Sequence, residues 1–218
     1  MSNLAKRRTG SARGRPTRQA VHARLAFMVD ELRTRLGGLP SPDEGIWTDI
    51  WYQEAHNSTA LEGNTLVRKE VEALLSQGKA VGSKELKDYL EVTGYAAAAR
   101  WVYSQAAGQG PWTSGKLLTV TEVRQVHRLA MTPVWEVAAH PDASNDESPG
   151  NWRRHDIHAF GRGMKPPDHT QVPAMIRDWV DGLASLPRDT SPIGEAIASR
   201  HAAFERIHPF IDGNGRVG

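Results

Sequence analysis

The C-terminal stretch His208-Pro209-Phe210-Ile211-Asp212-Gly213-Asn214-Gly215-Arg216-Val217-Gly218 carries the densest chemistry in this chain. Pro209 cannot continue a helix, so it leaves His208 at the last turn of whatever helix precedes it. Helical spacing puts His208 on the stripe of Ile197, His201 and Phe204, which turns its imidazole toward a cleft. Phe210 is the expected apolar anchor of the loop. Gly213 and Gly215 lack side chains, so the backbone N–H groups around Asn214 can converge on an anion. Arg216 adds a permanent charge whose fork suits phosphate oxygens. Asp212 supplies one hard carboxylate oxygen, the share magnesium commonly takes from protein when phosphates supply the rest. A base, a metal carboxylate, an anion cradle and a cation within nine residues together suit phosphoryl or nucleotidyl transfer.

The rest of the chain frames that loop. Its 218 residues hold no cysteine, which excludes a disulfide scaffold, a thiolate metal site and a cysteine nucleophile. Hydrophobic content of 39%, with 20 glycines besides, is that of a globular chain. No run approaches the ~18 apolar residues of a membrane span, and the basic N-terminus lacks the apolar core of a secretory signal. A soluble, cytoplasmic protein with no membrane partner is the expectation. Charge is unevenly placed. Residues 1–24 carry seven basic groups and no acid; that +7 against a formal +2 leaves −5 for residues 25–218. This tail has no apolar periodicity and reads as disordered. Its Arg13-Gly14-Arg15-Pro16 is similar to an AT-hook core, a possible DNA contact through the minor groove.

Apolar spacing predicts helices over 21–36, 45–61, 66–77, 83–107, 119–131, 172–186 and 191–208, with Ser191 as N-cap of the last. Only Trp152–Phe160 reads as extended. The expectation is a mainly α chain with one β-hairpin. Gly110–Leu117 nearly spells a phosphate-binding P-loop, but Leu117 stands where a hydroxyl must hold magnesium, so it reads as a loop between helices. His155 and His158 fall on opposite faces of a strand and read as surface or target-facing groups, not a metal pair.

The quoted signature resembles that of the Fic (filamentation induced by cAMP) family, whose members typically move AMP from ATP to a hydroxyl side chain of a protein. The resemblance implies a Fic-type helical bundle and assigns roles. His208 would be the general base, and Asp212 would hold Mg2+. Gly213, Asn214 and Gly215 would cradle the phosphates, and Arg216 would stabilise the leaving pyrophosphate. A neutral imidazole near its unshifted pKa of ~6.5 is a usable base at pH 7.

Two further segments are similar to family features. Pro149-Gly150-Asn151-Trp152-Arg153 and Ile157-His158-Ala159-Phe160 match the hairpin flap that pairs with a target segment. Ser58-Thr59-Ala60-Leu61-Glu62-Gly63-Asn64 fits the inhibitory Ser/Thr-x-x-x-Glu-Gly motif, implying inhibitory Ser58, Glu62 and Gly63. A carboxylate at a helix C-terminus is disfavoured by the dipole and seeks a cation. In the family that cation is a second arginine after the signature. Here Gly218 comes first, so a C-terminally shortened chain is expected, with weak activity by itself.

The resulting layout is a basic tail (1–24), a helical region with the inhibitory helix (25–108) and a Fic core (109–218) lacking its C-terminal helices. The implied function is protein adenylylation restrained by Glu62, with ATP and Mg2+ as cofactors and a hydroxyl-bearing protein, or the chain itself, as acceptor. Three rival readings remain. Phosphate transfer as in Doc-like relatives is opposed by Gly215. The others are AMP removal with Glu62 orienting water, and an inactive scaffold with a DNA-binding tail.

Overall fold

The computed structural model describes residues 16–36, 45–107, 118–158, 165–186 and 190–218. The chain divides into two units, residues 1–40 and residues 41–218. The first contains α1 (Arg18–Leu36). Its start is capped by the Thr17 hydroxyl, which accepts from Ala20 N at 3.2 Å. Residues 18–24, expected to belong to the tail, lie within this helix. Leu25, Met28 and Leu32 on α1 are exposed. The tail's Arg13-Gly14-Arg15 and the P-loop-like Gly110–Leu117 lie outside the described residues.

The second unit is a helical bundle: α2 (Ile46–Leu61), α3 (Arg68–Gln77), α4 (Leu86–Ala107), α5 (Val120–Ala138), α6 (Val172–Leu183), α7 (Thr190–Ile207) and the short α8 (Asn214–Val217). The apolar spacing of α2 buries Ala55 and sets Trp47 and Trp51 against Tyr103 of α4, with ring centroids 5.9 and 5.8 Å apart. Gly63, in the left-handed region at φ +94°, stops α2. The long pair α4 and α5 forms the spine. Gly94 makes its close approach possible, because a Cβ there would strike the Ala130 carbonyl. Thr119 caps α5 in a reciprocal box with Glu122. This helix runs to Ala138, seven residues past the expected end at Met131. Pro133 removes only one N–H from the ladder, and the buried Val134 holds the helix in place beyond it.

One apolar cluster (Val123, Val172, Ile176, Val180, Phe204, Ile207 and Phe210) joins α5, α6 and α7 to the signature loop. Another (Ala55, Leu66, Val71, Tyr89 and Val92) joins α2, α3 and α4. The mainly helical expectation holds. The hairpin does not: residues 149–158 form turns and irregular backbone, there is no strand among the described residues, and 159–164 lie outside them. Polar groups that a strand would offer a partner are spent elsewhere. Arg153 N donates to Pro209 O at 2.9 Å, and Arg154 N donates to the Glu147 carboxylate at 2.5 Å.

Candidate active site

The signature loop starts where α7 ends. His208 N closes the last turn by donating to Phe204 O at 3.0 Å, and the next residue is the proline. His208 itself is in the left-handed region at φ +48°, uncommon for a residue other than glycine. Arg153 fastens the His208 carbonyl. Its wholly buried guanidinium donates from Nε to His208 O at 2.9 Å and from Nη1 to His155 O at 3.1 Å. Nη2 reaches Pro167 O at 2.5 Å and Ile207 O at 3.5 Å. One side chain thus satisfies carbonyls that the end of α7 would otherwise leave without partners. Along the stripe named for His208, Phe204 is buried, but Ile197 and His201 are exposed, because only the last turns of α7 face the core.

Phe210 is fully buried and stacks on His127 of α5, ring centroids 3.6 Å apart at an interplanar angle of 11°. His127 joins two loops. Its Nδ1 accepts from Gly150 N at 2.7 Å, and Nε2 lies 2.9 Å from Asp212 O, so the proton belongs on Nε2. Burial pushes its pKa down to about 4, so the ring is neutral at pH 7.

Asn214 does not turn its amide to the cleft. Oδ1 accepts from Phe210 N and Nδ2 donates to Phe210 O, both at 2.9 Å, closing the loop on itself. Only its backbone N–H is left for an anion. Gly213 sits at φ +76° against Met131, where a Cβ would overlap the sulfur. Gly215 is exposed, and a Cβ there would collide with Glu62 Oε1. The carboxylate of Glu62 therefore lies directly over the glycine turn. α2 aims it there, with Glu62 as C-cap residue and Gly63 reversing the chain behind it. Ser58 is not brought to the loop; its hydroxyl donates to Tyr95 OH at 3.1 Å.

Glu62, Glu205, His208, Asp212, Gly213 and Gly215 line one cavity of about 790 Å3. His155 and His158, expected at the surface or facing a target, line it too, and His155 Nδ1 is 3.1 Å from the buried Glu147. Burial raises the pKa of Glu62; Arg216 opposes the rise, while Asp212 and Glu91 add to it. Glu205 is likewise raised, chiefly by burial and further by Glu62. The imidazole of His208 is pushed below its usual range by burial and by Arg153, against the opposing Glu205 carbonyl and Asp212. It is therefore neutral at pH 7 and able to accept a proton, which its unshifted value would have left less complete.

Asp212 Oδ1 accepts from Gly213 N at 2.6 Å and from Arg216 Nη2 at 3.0 Å. Among the described residues its side-chain bonds all fall on Oδ1. Oδ2 can thus serve a cation, and a single hard oxygen at the edge of the cavity fits magnesium better than a soft metal. Arg216 points inward and is buried, with Nη1 3.4 Å from Glu91 Oε1. Sequence reading missed Arg153, His127, Glu91 and Glu205. The one local signal was His127, a titratable group on the apolar stripe of α5.

The profile of the Fic/DOC family matches residues 117–218. The chain is 26% identical over 209 residues to "Protein adenylyltransferase Fic" of Nematostella vectensis, covering 94% of this chain and 45% of that protein. It is 25% identical to the protein of the same name from Drosophila willistoni, covering 91% and 37%. It thus spans less than half the length of these curated relatives. Among solved structures, Fic-1 (residues 134–508) from C. elegans superposes with a TM-score of 0.66 at 22% identity, covering 91% of this chain and 54% of that one. A Fic domain containing signaling protein from Bacteroides thetaiotaomicron gives 0.65 at 25% identity, covering 90% and 68%. The expectation that the basic tail binds DNA gains nothing from these likenesses, and no described helix is long and apolar enough to cross a membrane. Over residues 117–218 the chain is similar to the Fic/DOC family.

Proposed function

We propose that this chain transfers AMP from ATP to a hydroxyl side chain of a protein, its own or a target's, and that Glu62 restrains the transfer. The observation that carries this reading is the Glu62 carboxylate over Gly215, in the same cavity as His208 and Asp212. An anion parked on a glycine turn marks where another anion binds, and it must leave before a triphosphate enters.

In this reading neutral His208 accepts the proton of the incoming hydroxyl. The hydroxyl oxygen bonds to the α-phosphorus as the bond to the β-phosphate oxygen breaks, and pyrophosphate leaves with the electron pair. Backbone N–H groups of Asn214 and Gly215 receive the phosphates, while that of Gly213 is held by Asp212 Oδ1 and keeps the turn in shape. Asp212 is the residue to hold Mg2+, which when bound neutralises charge shared by the phosphates. Arg216 acts from beneath the loop, as a buried positive charge favouring the charge on the leaving group. Gly63 gives Glu62 its approach, and Ser58 fastens the inhibitory helix to α4 through Tyr95.

The test uses ATP labelled at the α- or the γ-phosphate. The Glu62→Gly chain is expected to incorporate α-label well above the unaltered chain, and Glu62→Gly with His208→Ala to incorporate none. Label arriving from the γ-phosphate alone, or equal labelling in all three chains, overturns the reading.

A further inference from the structure

A line of buried polar side chains runs from the inhibitory turn to the signature loop, through a residue that belongs to neither motif. Asn64, two residues after Glu62, donates from Nδ2 to Asp88 O at 2.8 Å and to Glu91 Oε2 at 2.9 Å. The other carboxylate oxygen of Glu91 is 3.4 Å from Arg216 Nη1. Arg216 Nη2 then donates to Asp212 Oδ1 at 3.0 Å. The Glu91 and Arg216 side chains are only 5% and 3% exposed, so neither charge is relieved by water. Lys87, half exposed and 3.8 Å from Glu91, is a weaker partner. Arg216 is thereby shared between two carboxylates, one in the core on α4 and one at the edge of the cavity. Its Nε and Nη1 have no hydrogen-bond partner among the described residues, so what holds that end is the charge of Glu91.

We propose that Glu91 is a positioning residue: its carboxylate holds back part of the Arg216 charge and so leaves Asp212 anionic enough to take a divalent cation, while its second oxygen fastens the Asn64 turn that aims Glu62. The proposal rests on the site reading given above. The physical argument is one of competition. With Glu91 neutral and Glu62 replaced by glycine, the Arg216 charge falls chiefly on Asp212. The carboxylate is then engaged internally and attracts a cation less. At the same time the loop gains one unit of positive charge and attracts bare phosphates more. The two effects have opposite signs, which a loosening of the fold cannot imitate.

The experiment measures ATP binding by titration calorimetry, with and without magnesium, on the full chain carrying Glu62→Gly. Glu91→Gln is then added; its amide oxygen still accepts from Asn64. Binding without magnesium is expected to stay equal or tighten, while the gain in ATP affinity from magnesium falls by about fivefold or more. Glu91→Asp, which keeps the charge on a shorter stem, is expected to retain most of the gain, and it serves as the readout if Glu91→Gln does not fold. An undiminished magnesium gain in Glu91→Gln, a lost gain in folded Glu91→Asp, or an equal weakening of both affinities overturns the proposal. No uptake of ATP by the Glu62→Gly chain itself overturns the site reading, and the proposal with it.

Discussion

The carboxylate of Glu62, carried on the end of α2, occupies the space in front of the Gly215 Cα, where any other residue would place its Cβ. In the proposed reading, glycine at position 215 serves the inhibitory contact as well as the phosphate cradle. Gly215 lies in the helical conformation of α8, and the only obstacle to a methyl group is the end of a flexible side chain. Gly215→Ala is therefore expected to displace Glu62 and cost less than about 1 kcal/mol in chemical denaturation. Combined with Glu62→Gly, it should still lower ATP uptake, because the methyl group stands where phosphate oxygens would approach the backbone.

The group proposed to restrain transfer, Glu62, is also expected to cost the fold some stability. Burial and the neighbouring Asp212 and Glu91 raise its pKa above 4.5 despite Arg216. Between 4.5 and the raised value the folded chain holds a proton that the unfolded chain has released, so stability falls as pH rises through that window. Glu62→Gln is expected to flatten this part of the profile and to raise Tm at pH 7. An unchanged Tm and profile would show that the carboxylate is not strained.

His127 produces a dependence of the opposite sign. Its pKa falls from 6.5 to about 4, so within that interval the unfolded chain binds the proton that the folded chain refuses. Stability should climb as pH rises from about 4 to about 6.5, by about 3 kcal/mol, and level off above. His127→Gln, which keeps a donor and an acceptor but does not titrate, is expected to remove the climb. Denaturation midpoints between pH 4 and 7 measure both.

Arg153 predicts a mutation that is costly for stability and for chemistry together. Arg153→Met fills similar volume but leaves the carbonyls of Ile207, His208 and Pro167 without their donor. A loss of about 3 kcal/mol or more is expected. His208 would then relax from its left-handed backbone conformation. α-Phosphate labelling by Arg153→Lys, which restores a charge but not the fork, should fall steeply while ATP uptake changes little. Proportional losses of uptake and labelling would mean that Arg153 holds the whole loop and not the imidazole.

Much of the site was legible because its chemistry is contiguous. Nine neighbouring residues supply the proposed base, the proposed metal carboxylate and the glycine turn, and apolar spacing located the helices that bear them. The errors share a cause. The 149–158 segment has strand-like residues, yet its backbone donors are claimed by Pro209 and by the buried Glu147, so no hairpin forms among the described residues. The sequence also left open which atom of Asn214 is available: closing the loop uses its side-chain amide for Phe210 and leaves its backbone N–H.

The sequence by itself determined the helices, the loop and the kinds of atoms the loop presents, since propensity, glycine freedom and side-chain chemistry act within a few residues. Tertiary structure alone decided that Glu62 lies over Gly215, that Glu91 pairs with Arg216 and that Arg153 holds His208. Those pairs are between 55 and 153 residues apart along the chain. Their meeting depends on how buried faces of α2, α4 and α7 pack, and packing is a property of surfaces that no local window of sequence contains.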